Sequence, residues 1–189
     1  PGGYGGLDIY KSVKNAGGTW GRAVNLGPKV NSKHDEEAPF IHPAQTMLFF
    51  SSNRPEAIGG WDIFKSVLEE GEWLEPQNMG YPVNTTSNDS YFTLIADGSR
   101  GYFSSDRKGG AGGTDIYMMD MPENFGTIPL TMIKGRILDS ETQKPIKTLI
   151  YMIDNETKEK LDYVYSPNPE TGNYLVILPP SKNYDMVIE

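Results

Sequence analysis

Three aspartates at nearly constant spacing are the residues of this sequence best placed to do chemistry. Each follows a glycine-rich string, and the strings read GGLDIYKS at Asp8, GGWDIFKS at Asp62 and GGTDIYMM at Asp115. Equivalent carboxylates around a pore could bind cations. They could instead fasten the glycine-rich loop, by accepting backbone N–H groups or by pairing with the arginine that ends the previous strand. Those arginines are Arg54 and Arg107. Because the string recurs, we predict the structural role.

The two histidines offer a second candidate chemistry. His34 and His42 fall in different parts of the repeated pattern. The string HDEE at 34–37 could suggest a metal site, but its counterpart at 87–90 reads SNDS. We therefore predict a solvated acidic loop there and assign no metal ligand.

Other residue types give no convergent catalytic set. Ser51-Ser52 recur as Ser104-Ser105 without a histidine at a matching place, which argues against a nucleophile–base pair. The metalloprotease, P-loop and dinucleotide-binding motifs do not occur. Trp20 and Trp73 could stack on sugars, but their repetition favours packing between repeats. We expect no catalytic residue, no cofactor-binding residue and no enzymatic activity.

The amino-acid composition limits the classes of partner that this chain could bind. The 189 residues carry 17 basic and 25 acidic side chains, a formal charge of −8, which disfavours nucleic acid because phosphate contacts dominate that affinity. The sequence has no cysteine, so disulfides and thiolate metal sites are excluded. No apolar run approaches the roughly 18 residues of a membrane span, so we expect no direct membrane insertion by this segment.

An internal repeat of 53 or 54 residues accounts for these spacings. We call the repeat that contains Asp8 the first repeat, the one that contains Asp62 the middle repeat and the one that contains Asp115 the third repeat. The features that return at this offset are FFSSNR (49–54) as YFSSDR (102–107), Trp20 as Trp73, and Val30-Asn31 as Val83-Asn84. A period of about 50 residues is typical of β-propellers.

The middle repeat reads as four short strands separated by turn residues. The predicted strands are 38–42, 47–51, 62–67 and 72–79. Four antiparallel strands make a propeller blade. The glycine pairs that precede Asp62 and Asp115 include Gly60 and Gly113, and we predict that they form a turn with positive φ. We predict an all-β fold with a partial β-propeller over 1–121: one full blade flanked by two partial ones. The parent chain should carry more blades before residue 1.

A second module follows a predicted linker at 122–131. Period-2 patterns separated by Asp, Asn, Pro and Gly turns indicate a small antiparallel β-sandwich over 132–189, cut before its final strand. The predicted strands are 132–138, 149–154, 161–165, 173–178 and 184–189.

Both modules resemble known families. The string FSS(N/D)R…GG.DI(Y/F), with W…N.G..VN before each unit, resembles the TolB-type β-propeller repeat. IKGRILDSETQKPI…ETGNYLVILPP resembles the carboxypeptidase regulatory-like domain. The residues that carry the repeat signature are Asp8, Asp62, Asp115, Arg54, Arg107, Trp20, Trp73, Gly60 and Gly113.

This order of modules is similar to OmpA-family periplasmic lipoproteins of Bacteroidota, including PorE-like proteins of the type IX secretion system. The resemblance implies a periplasmic, outer-membrane-associated scaffold without cofactors. Its partners would be other cell-envelope proteins, with peptidoglycan bound only through a domain outside this sequence. Two alternatives stay open: a carbohydrate-binding or carbohydrate-processing propeller, and the propeller of a peptidase, against which the sandwich argues.

Overall fold

A computed structural model describes residues 2–15, 18–122, 125, 130–161, 164–179 and 182–189. Within these residues the protein is all-β, its strands pair antiparallel, and no helix occurs. The chain forms two compact units. The first comprises Pro1–Lys11 and Val24–Ile128, and the second comprises Ser12–Ala23 and Pro129–Glu189. Most of the predicted linker at 122–131 lies outside the described residues, so that boundary stays a prediction.

Three antiparallel sheets make up the described part of the first unit. The strands are β1 (Tyr10–Lys11), β2 (Val24–Asn25), β3 (Glu36–Ile41), β4 (Met47–Ser52), β5 (Asp62–Glu69), β6 (Glu72–Trp73), β7 (Gln77–Asn78), β8 (Asp89–Leu94), β9 (Arg100–Ser105) and β10 (Asp115–Asp120). The first repeat contributes β1 paired with β2. The middle repeat runs in the order β3-β4-β5-β6, with β7 also on β5, and the third repeat runs β10-β9-β8.

The apolar run at 47–50 explains why β4 lies inside its sheet. Every residue of β4 is buried, as expected for an apolar run with cover on both faces. Phe50 packs with Phe64 and Ile9 in one cluster, whereas Phe49 packs with Ile63 and Phe92 in another. The middle repeat therefore packs against the first repeat through one face and against the third repeat through the other.

The predicted outer strand at 72–79 is two short strands instead. β6 pairs with Leu68 and Glu69, and β7 pairs with Phe64 and Lys65. Pro76 lies between the two segments and has no N–H to donate to a continuous ladder. The prediction of a single, continuous fourth strand is therefore wrong.

The second unit contains two two-stranded sheets in its described part. Its strands are β11 (Thr131–Arg136), β12 (Ile150–Asp154), β13 (Asn173–Leu178) and β14 (Tyr184–Ile188). β11 pairs with β13 and β12 with β14 around a core of Ile150, Met152, Val176 and Leu178. Of the predicted strand at 161–165, residues 162 and 163 lie outside the described residues, and Tyr165 makes an isolated bridge to Ile150. The sandwich itself stays a prediction.

Candidate functional site

The repeated aspartate fastens its loop through backbone hydrogen bonds. Asp62 is fully buried, and its carboxylate accepts the N–H groups of Ile58 at 2.7 Å and Gly59 at 3.1 Å. The side-chain amide of Asn78 on β7 donates to the same carboxylate at 2.6 Å. The first of the two predicted roles, accepting backbone N–H groups, is therefore confirmed for Asp62.

The predicted pairing of Asp62 with Arg54 is wrong. The Arg54 guanidinium lies 3.0 Å from the buried carboxylate of Glu36 and donates to the Val30 carbonyl at 2.7 Å. The Asp62 carboxylate already accepts the loop N–H groups and the Asn78 amide. Glu36 lies opposite Ser52 on the neighbouring strand, where Arg54 can reach it.

The other two repeats preserve parts of this arrangement. Arg107 pairs with Asp89 at 2.7 Å, so its predicted partnership with Asp115 is also wrong. Burial favours a raised pKa at Asp8, but hydrogen bonds from Tyr4 N–H, Gly5 N–H and the Asn25 amide together lower it below its ordinary value.

The described hydrogen bonding of Asp115 is sparser. Its carboxylate accepts the Gly112 N–H at 3.2 Å. No asparagine amide donates to Asp115 among the hydrogen bonds of the described residues, in contrast to Asp8 and Asp62.

Two asparagines act at the junctions between repeats, a role that sequence reasoning missed. The Asn84 side chain accepts the Ile63 N–H at 2.9 Å and donates to the Ile63 carbonyl at 2.8 Å. Asn31 makes the same pair of bonds with Ile9, at 2.7 and 3.0 Å. Each amide thus imitates a neighbouring strand. The recurring Val-Asn pair was the available signal.

The glycines before the aspartate allow the neighbouring repeat to approach the backbone closely. They do not adopt the positive φ that the sequence suggested. Gly60 and Gly113 are not among the residues with positive φ. A Cβ at Gly59 would lie 1.9 Å from the Ser87 carbonyl oxygen, and one at Gly60 would lie 2.4 Å from Asn88 Oδ1. Around Gly113 the same space is open.

The acidic string 34–37 is not a solvated loop. Glu36 is buried and accepts hydrogen bonds from Ser32 as well as from Arg54. Asp35 accepts the Leu7 N–H of the first repeat at 2.8 Å. In the described part of the chain, no three His, Asp or Glu side chains are grouped so as to hold a metal ion.

The two repeated tryptophans differ in their surroundings. Trp73 is partly buried against the cluster that contains Phe50 and Phe64. Trp20 is 69% exposed, so the prediction that both tryptophans pack between repeats is wrong for Trp20.

We expect Asp62→Ala to lower the free energy of unfolding by about 1–3 kcal/mol, because it removes a fully buried carboxylate and leaves two part-buried N–H donors and the Asn78 amide without their acceptor. Asp115→Ala is the matched control and should cost less than about 1 kcal/mol, since Asp115 is only partly buried and accepts a longer bond. Urea denaturation measures both. Unchanged stability of Asp62→Ala together with loss of a bound ligand would show a ligand-binding carboxylate instead.

His42 is a buried titratable group between β3 and β4. Its Nδ1 accepts the Ala44 N–H at 3.2 Å. Burial lowers the pKa of His42, and the Ala96 backbone opposes this with a smaller effect. The fold therefore favours the neutral imidazole.

Acidification from about pH 7.5 to about pH 5.5 should lower the free energy of unfolding by up to about 1 kcal/mol through His42. The unfolded imidazole takes up a proton near its ordinary pKa of 6.5, whereas the folded pKa is lower, so the unfolded state binds more protons in this range. This stability is present above the unfolded pKa and is lost as the pH falls toward the folded pKa. Urea titrations of His42→Gln should show a flatter pH dependence than those of the unchanged protein. An equally steep slope in His42→Gln would contradict the assignment.

No protein-family model and no curated protein matches the chain. Among the residues that the structure describes, no helix is long and apolar enough to cross a membrane.

Proposed function

We propose that the chain is a non-catalytic interaction scaffold whose first unit consists of β-propeller blades. The observation that supports this most is the use of its repeated polar side chains. Asp62, Asn84 and the Arg54–Glu36 pair are buried, and their hydrogen bonds join loops and strands to one another. Because these side chains hold the repeats together, partner recognition would fall to the exposed residues of the surface.

The cellular setting that we propose follows from the resemblances of the two modules. TolB-type repeats and a carboxypeptidase regulatory-like domain suggest a periplasmic, outer-membrane-associated protein of the cell envelope. It would connect a protein assembly, such as the PorE-like part of a type IX secretion system, to peptidoglycan through domains outside these 189 residues.

Fractionation of cells that produce the full-length parent protein tests this setting. We expect the protein in the periplasmic and outer-membrane fractions, and we expect chemical crosslinking to join it to other envelope proteins. Recovery in the cytoplasmic fraction would contradict the proposal.

A carbohydrate-binding role is the second candidate, and the exposure of Trp20 favours it. An exposed indole offers a face on which a sugar can stack. Under the scaffold proposal, glycan-array binding should be absent and Trp20→Ala should change nothing. Glycan binding that Trp20→Ala abolishes, together with glycoside hydrolysis, would establish the carbohydrate role.

A further inference from the structure

The junction between consecutive repeats has the same polar pattern in both of its described copies. In the middle repeat, Asn78 donates to Asp62 at 2.6 Å, Met79 N–H donates to the Ile63 carbonyl at 3.0 Å, and Asn84 bonds both backbone groups of Ile63. A segment that starts in β7 and turns over 81–83, where the Asn84 N–H donates to the Gly80 carbonyl at 2.8 Å, thus covers the aspartate and the strand edge beside it with asparagines six positions apart.

The first repeat has the same junction. Asn25 donates to Asp8 at 2.6 Å, Leu26 N–H donates to the Ile9 carbonyl at 3.1 Å, and Asn31 bonds both backbone groups of Ile9. Ile9 and Ile63 are 5% and 0% exposed, and their side chains also pack in the apolar clusters between repeats.

In the third repeat the corresponding strand edge is that of β10. Among the described residues, no segment with two asparagines covers it. Ile116 lies opposite Ser104 as Ile63 lies opposite Ser51, so the N–H and carbonyl of Ile116 point to the outer edge of β10. β10 pairs only with β9 in the described sheet. Ile116 is 81% exposed and Met118 on the same face is 55% exposed, where the equivalent Ile63 is fully buried.

We propose that the β10 edge, with Asp115 and Ile116, is a docking site for a segment of the pattern Asn-x5-Asn that turns between its two asparagines, as the segments at 25–31 and 78–84 do. The first asparagine donates to the Asp115 carboxylate, the next residue adds to the β10 ladder, and the second asparagine bonds both backbone groups of Ile116. The occupant is a segment of this pattern outside these 189 residues that does not already cover an aspartate of its own repeat. This inference rests on the scaffold function proposed above and names the chemistry of one partner.

The charge of Asp115 and the availability of an unoccupied segment both favour this occupant. The Asp115 carboxylate needs a donor and repels an acidic side chain, which an asparagine amide satisfies without a net charge. A second copy of the chain carries two such segments, at 24–31 and 77–84, but both already cover Asp8 and Asp62 in their own molecule. A separate segment can therefore bind without unfolding a junction.

A labelled peptide with the sequence EWLEPQNMGYPVNTT, residues 72–86, is the probe, and fluorescence anisotropy against the whole chain is the measurement. We expect saturable binding. Alanine at both Asn78 and Asn84 of the peptide should weaken it about tenfold or more, the factor that corresponds to losing one or two net hydrogen bonds.

Variants of the chain locate the peptide. Asp115→Ala should weaken binding about tenfold, whereas the control Asp120→Ala, on the same strand in an exposed ion pair with Arg100, should leave it unchanged. Ile116→Pro removes the outward N–H of an edge strand and should also weaken binding. Circular dichroism verifies that each variant remains folded.

Three results would overturn the inference: no binding, equal binding of the double-alanine peptide, or equal binding by Asp115→Ala. Concentration-dependent dimers in sedimentation that Asp115→Ala removes would assign the edge to a second copy and overturn the separate segment. Each of these results leaves the envelope scaffold standing, because fractionation of the parent protein tests that proposal independently.

Discussion

Arg54→Ala should lower the free energy of unfolding by about 3–5 kcal/mol, the cost of removing one partner from a buried ion pair. The substitution leaves the fully buried Glu36 carboxylate without its cation and the Val30 carbonyl without a donor. It also removes the guanidinium carbon that lies 5.2 Å from the Phe50 ring centroid and 5.0 Å from the Phe64 ring centroid. Urea denaturation followed by tryptophan fluorescence measures the change.

An exposed ion pair supplies the control. Lys29 and Glu72 also lie 3.0 Å apart, but both side chains are exposed, so Lys29→Ala should cost less than about 1 kcal/mol. A loss below about 1 kcal/mol in Arg54→Ala would mean that the buried Glu36 carboxylate does not depend on Arg54 in the folded protein. The importance assigned to the buried pair would then be wrong.

Sequence reasoning found this arginine but gave it the wrong partner. The repeat made Arg54 and Arg107 visible because the residue type is kept. Their carboxylates are Glu36 and Asp89, one repeat apart but different in type, so the string HDEE opposite SNDS concealed the equivalence. Only the register of β3 on β4 places Glu36 beside the arginine.

The fold was predictable where the pattern is local. Alternating apolar residues and turn residues locate most of the strands. This pattern is visible in a short stretch of sequence, so the start and end of a strand can be predicted without knowing what it pairs with. The function of the glycines and of Asn84 depends on contacts between segments about 20 or more residues apart, such as Asn84 with Ile63. A period of 53 residues shows that such positions matter without showing what they touch.

Gly59→Ala should lower the free energy of unfolding by about 3 kcal/mol, at the upper end of the usual cost of overpacking. Its Cβ would lie 1.9 Å from the Ser87 carbonyl oxygen and 2.8 Å from the Thr85 carbonyl oxygen. Both atoms are backbone, and Thr85 is itself held by Asp89, so no side chain can rotate away. The loop of the middle repeat must therefore separate from the third repeat, and thermal or urea denaturation measures the loss.

Gly112→Ala is the matched control for this contact. Gly112 occupies the same place one repeat later, and the nearest atom to its Cβ would be Asp115 Oδ1 at 3.7 Å, an ordinary contact. We expect its stability to stay within about 0.5 kcal/mol of the parent, as for most surface substitutions. Equal losses in the two variants would mean that alanine disturbs the glycine-rich turn itself. A large loss confined to Gly59→Ala would locate the cost at the junction, because the two glycines share their local sequence and differ in having a following repeat against them.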